Sequence, residues 1–138
     1  MMRSTSTKQL SGKKNTMNFN NVTSVEQSNI LIELGIDVST ADLHWYKGLD
    51  GCYYNDNPET ADGFEDDDIP AWSLQALFDL LPIIKVNGYQ KYVPILRKTL
   101  NGKYVCTYES SLGLQFIADK SIDAVFKMAQ HLLQEKKM

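Results

Sequence analysis

Two Asn-Gly pairs, Asn87-Gly88 and Asn101-Gly102, stand in the C-terminal half of this chain, each flanked by runs in which apolar and polar residues alternate. Asn and Gly both tolerate the positive φ that a two-residue hairpin turn requires, so the pairing is the strongest short-range hairpin signal a sequence can carry. The runs Ile83–Val86, Tyr92–Leu100 and Lys103–Glu109 therefore predict an antiparallel meander of three strands, with Leu114–Ala118 as a fourth. Pro94 cannot donate to a central ladder and pushes its end of the second strand toward a sheet edge. Along Lys103–Glu109, Tyr104, Cys106 and Tyr108 share one face and Val105 and Thr107 the other, so one face is expected to pack on helices.

Segments of helical period surround the meander. Thr23-Ser24-Val25-Glu26 has the form of a capping box, and Val25, Ser28, Leu31, Ile32 and Leu34 follow at three- and four-residue spacing until Gly35 supplies a stop. A second helix is predicted from Pro70-Ala71-Trp72-Ser73, with Pro70 near its first position and a stripe of Leu74, Leu77, Phe78 and Leu81 ended by Pro82. A third is capped by Ser121 and carries Ile122, Val125, Phe126, Ala129, Leu132 and Leu133 on one face. Between the first two, Leu43–Lys47 and Cys52–Tyr54 read as a hairpin about Gly48–Gly51, and Asn55–Asp68 as a long acidic loop. Helix, hairpin, helix, meander, helix contains no βαβ repetition. The predicted fold is α+β, a small antiparallel sheet of meander plus N-terminal hairpin packed by three helices.

At 138 residues the chain is one domain in size, and 43% hydrophobic content is enough to fold it. Residues 1–16 carry Arg3, Lys8, Lys13 and Lys14 against no acid and almost no large aliphatic residue, so they read as a disordered basic leader to a single α+β domain spanning 17–138. Two uses compete for that leader: an arm for a phosphate or acidic partner, and a dispensable stretch upstream of a start at Met17. No apolar run is long enough for a membrane span or a secretory signal, which predicts a cytoplasmic protein with no membrane partner. Cys52 and Cys106 lack CxxC spacing and are expected to be free, buried thiols.

The formal charge of -3 conceals an asymmetry. Gly48–Ile84 carries nine acids and no base, whereas residues 85–138 net +5. The acid-rich stretch does not match an EF-hand register, because placing Gly63 at the sixth position puts Pro58 at the first, so no metal or other cofactor is expected. His44 and His131 stand on different elements without a Cys or Glu at ligand spacing, and His44 reads as a half-exposed strand residue. Acyl transfer and nucleotide hydrolysis find no foothold: G-x-S-x-G, the P-loop and G-x-G-x-x-G are all missing. The expectation is a non-enzymatic protein.

Two surfaces remain. The acidic segment with its flanking aromatics, Glu65, Asp66, Asp67, Asp68, Trp45, Tyr46, Tyr53 and Tyr54, is the candidate site for a basic partner protein. The meander, with Lys85, Lys91, Arg97, Lys98 and Lys103 among Tyr89, Tyr92, Tyr104 and Tyr108, is the alternative, a candidate for stacking and neutralising single-stranded nucleic acid, although the RNP signature is missing. A third reading, a hydrolase using the acids with a metal, requires activity that chelation abolishes.

Three phrases complete the reading: Thr23-Ser24-Val25-Glu26-Gln27-Ser28; Leu34-Gly35-Ile36-Asp37 followed by Thr40-Ala41-Asp42; and Ile69-Pro70-Ala71-Trp72-Ser73-Leu74 with Ala76-Leu77 and Leu80-Leu81-Pro82. Together they resemble a family of small uncharacterised proteins encoded in gut bacterial genomes, their prophages and other mobile elements. The resemblance runs from Thr23 to the final helix. It implies a bacterial or phage accessory protein of the cytosol, and it transfers no catalytic or cofactor-binding residue to any position.

Overall fold

A computed structural model describes residues 21–56, 68–86, 90–108 and 113–138. The leader 1–16, the turn at Asn87-Gly88, and Glu65, Asp66 and Asp67 lie outside those residues. Helix α1 (Val25–Glu33) and a short 3-10 turn (Val38–Thr40) lead into strands β1 (Leu43–Lys47), β2 (Tyr53–Asp56) and β3 (Ile69–Ala71). Helix α2 (Leu74–Leu80) is followed by β4 (Ile84–Val86), β5 (Gln90–Tyr92), β6 (Ile95–Lys98), β7 (Tyr104–Thr107), β8 (Gln115–Ala118) and the terminal helix α3 (Ser121–Gln134). The class is α+β as expected; among the described residues all strand pairs are antiparallel, in three small sheets ordered β2-β1-β3, β4-β5 and β6-β7-β8.

The predicted single meander is thus divided. Tyr92 ends one ladder and Ile95 begins the next, with Val93 and Pro94 between them. A proline fixes φ and offers no N–H, so the chain breaks pairing there and turns into a second sheet. In that sheet Leu96, Cys106 and Phe116 lie in one cross-strand row and pack into the main core with α3. The face of Tyr104, Cys106 and Tyr108 packs on the helices, as the alternation implied.

Helix α1 begins one residue later than predicted. Ser24 is the N-cap, accepting from the Gln27 backbone N–H at 3.0 Å, and the Gln27 side chain returns the bond to the Ser24 backbone. Thr23 is not available for capping because it is wholly buried in another role. Its Oγ1 accepts from Trp72 N–H at 3.0 Å and lies 2.8 Å from Ser28 Oγ; its carbonyl accepts from Trp45 Nε1 at 2.8 Å. The C-terminus is as expected. Gly35 takes φ +98° and bonds Ile32 O, Ile36 bonds Leu31 O, and the Ile36 side chain is buried, which is the Schellman arrangement with its apolar contact.

Pro70 does not start a helix. It sits in β3, opposite His44, between the pairs Leu43↔Ala71 and Trp45↔Ile69. Gly48 N–H bonds Cys52 O at 2.8 Å, and counting the antiparallel alternation from that bond turns the backbone of Pro70 away from β1, so the missing N–H costs no ladder bond. Ser73, not Pro70, caps α2 through Ala76 N–H. Ser121 is likewise the first helical residue of α3 and not its cap; Lys120 holds that position, with no side-chain bond.

The three sequence phrases meet in one joint. Trp72 Nε1 donates to Thr40 Oγ1 at 2.9 Å, and Ser73 gives both its N–H and its hydroxyl to Asp42, at 2.8 and 2.6 Å. With the Thr23 bonds to Trp72, residues from all three phrases fix one another around a buried indole. Those phrases therefore encode how the first sheet is attached to α1 and α2.

Candidate interaction surface

The acidic stretch is built on β1. Its two ends leave and rejoin the same sheet level with His44: Asp56 closes β2 opposite His44, and Pro70 faces His44 from β3 on the other side. Asp68, the last acid of the run, reaches back so that its Oδ2 lies 2.8 Å from His44 Nδ1, with 3% and 4% of the two side chains exposed. His44 is therefore not the half-exposed strand residue anticipated. A carboxylate withdrawn from water has to be compensated by a donor or a charge, and the imidazole occupies that position.

His44 and Tyr46 share a face of β1 with ring centroids 5.9 Å apart, and Tyr46 meets its cross-strand neighbour Tyr54 at 5.8 Å. The Tyr54 hydroxyl donates to Asp50 Oδ2 at 2.5 Å. That bond, with some desolvation and the carboxylate charge behind it, pushes the Tyr54 phenol up to about 12. Asp50 also accepts from Cys52 N–H, closing the loop from Gly48 to Cys52. Gly48 is required there, because a Cβ would stand 2.8 Å from the Tyr54 ring. An unbroken row, Asp68, His44, Tyr46, Tyr54, Asp50, runs across this face from carboxylate to carboxylate.

The eight candidate residues therefore divide. Tyr53 is exposed, with Lys47 Nζ 5.9 Å from its ring centroid, and Tyr54 is half-buried; these two can meet a partner. Trp45 and Tyr46 are corrected from surface to interior. Trp45 packs with Val22 and Ala71 in a second small core, and Tyr46 lies between His44 and Tyr54. Asp68 belongs to the fold through His44. The thiols also divide: both cysteines are free, but Cys52 is exposed and only Cys106 is buried.

On the basic sheets Tyr89 lies outside the described residues, and the other three tyrosines are turned inward. Tyr108 is 1% exposed and its hydroxyl donates to Pro82 O at 2.6 Å, while Tyr92 and Tyr104 pack against the main core. Phenols so placed do not offer open faces to bases. Among the described residues no group of three or more His, Cys, Asp or Glu side chains could hold a metal ion, and no helix is long and apolar enough to cross a membrane.

The His44–Asp68 pair escaped sequence reading because nothing local signals it. One partner is in a strand and the other ends an acid run, and only the β1–β3 ladder brings them together. No family model, curated protein or solved structure matches this chain.

Proposed function

We propose that this chain is a non-enzymatic accessory protein of a bacterial or phage cytoplasm that binds a basic partner protein through the acidic run between β2 and β3. The observation that supports this reading is the attachment of the run. Residues 56–68 hold seven acids and no base, and both ends are fixed on β1 beside one buried histidine, with Tyr53 exposed on the adjoining strand. Tethering both ends of a charged segment lowers the ordering entropy lost when it is captured. Concentrated charge of one sign accelerates encounter with a partner of the other.

Asp68 is a support of the fold and has to be spared in the test. Glu65→Gln, Asp66→Asn and Asp67→Asn combined should abolish a partner that the unaltered protein retains in a pull-down, and binding should weaken as salt rises. A partner recovered equally by the triple variant refutes the assignment of the surface.

A further inference from the structure

A second surface, independent of the acidic run, lies on β4–β6. Residues 83–108 contain Lys85, Lys91, Arg97, Lys98 and Lys103 and no acid. Ile84 and Tyr92 are directly opposed on the β4–β5 ladder and pack against the main core, which turns the next pair, Lys85 and Lys91, toward solvent directly opposite each other. Like charges in register across an antiparallel pair repel. Among the described residues neither lysine has an acid partner, in contrast to Lys103, which meets Asp119 at 2.6 Å. The surface continues through Val93 into β6, where Ile95 and Arg97 occupy the face opposite to core-facing Leu96. Val93 and Ile95 are 49% and 37% exposed.

We infer that this face docks an acidic protein segment whose carboxylates alternate with aliphatic side chains. The like-charged Lys85–Lys91 pair is relieved by an anion placed between the two, and the exposed aliphatics give an extended segment apolar contacts on alternate residues. Nucleic acid fits less well, since among the described residues this surface offers aliphatic side chains where base stacking calls for open aromatic rings.

The test uses the full chain and three labelled probes of equal length followed by fluorescence anisotropy: alternating Glu-Leu, alternating Glu-Ser and oligo-dT. Glu-Leu should bind best, and its affinity should fall at least about tenfold in Lys85→Glu and in Ile95→Ser, the loss of one close charge pair or one anchoring side chain. Lys85→Glu faces Lys91 with an opposite charge, so its melting temperature should equal or exceed that of the unaltered chain, which separates lost docking from lost folding. Equal binding of the two peptides, tighter binding of oligo-dT, self-association that Ile95→Ser abolishes, or no binding of Glu-Leu would each overturn the inference. The triple variant at Glu65, Asp66 and Asp67 should leave Glu-Leu binding intact, so this surface and the acidic run are tested separately.

Discussion

Asp68 reaches His44 at 2.8 Å in surroundings that exclude almost all water from both side chains. That contact gives the last acid of the run a different task from its neighbours in sequence, because it anchors the start of β3 to the second residue of β1. Asp68→Ala should lower the urea midpoint by an amount equivalent to about 1–3 kcal/mol, the cost of depriving a buried polar group of its partner. A midpoint equal to that of the unaltered protein would remove this pair from the supports of the fold.

Thr23 serves three neighbours at once: Trp72 N–H, the Ser28 hydroxyl and, through its carbonyl, Trp45 Nε1. Thr23→Val keeps the shape and deletes the hydroxyl, leaving the Trp72 amide without its acceptor. Denaturant unfolding should show a loss of roughly 1–3 kcal/mol, and Thr23→Ser a clearly smaller one.

Tyr54 should titrate late. Its phenol is raised to about 12 chiefly by the bond to Asp50, against about 10 for an unperturbed tyrosine. Since the folded value lies above the unfolded one, the stability this bond supplies is complete below about pH 10 and disappears as pH rises toward 12. Alkaline titration of phenolate absorbance should reveal a tyrosine that ionises after the exposed ones, and Asp50→Ala should move it down. Identical titration curves for the two proteins would dismiss the bond as a determinant.

Thiol labelling separates the cysteines. Cys106 is inaccessible and burial pushes its thiol up to about 12, so it is both shielded and protonated, while Cys52 is open to solvent. A bulky maleimide should modify one site in the native protein, mapped to Cys52 by mass spectrometry, and two in denaturant. Rapid native labelling at Cys106 would contradict the packing of β7 against α3.

The sequence carried period and punctuation well. Alternation and the break at Pro82 placed β4, β7 and β8 but ran β5 and β6 together across Pro94, and Gly35 with Ile36 marked the end of α1; those signals act over a few residues. What it did not carry was competition for a side chain. Thr23 has the composition of an N-cap, yet a backbone amide from Trp72 takes its hydroxyl, and the cap passes to Ser24. Pro70 has the composition of a helix start, yet it lies in a strand where its missing N–H is harmless. The candidate surface was legible as charge but not as burial: a Trp-Tyr pair beside acids looks the same in sequence whether it faces a partner or a core.

Gln27, whose side chain helps close the cap of α1, also donates through Nε2 to Asp123 at the start of α3, across 96 residues of chain. Joined to the bond between Thr23 and Trp72, 49 residues apart, this makes the consolidation of α1 wait for segments far downstream of it. Distant loops must close before such contacts form, so α1 is completed only after α3 has been made and docked.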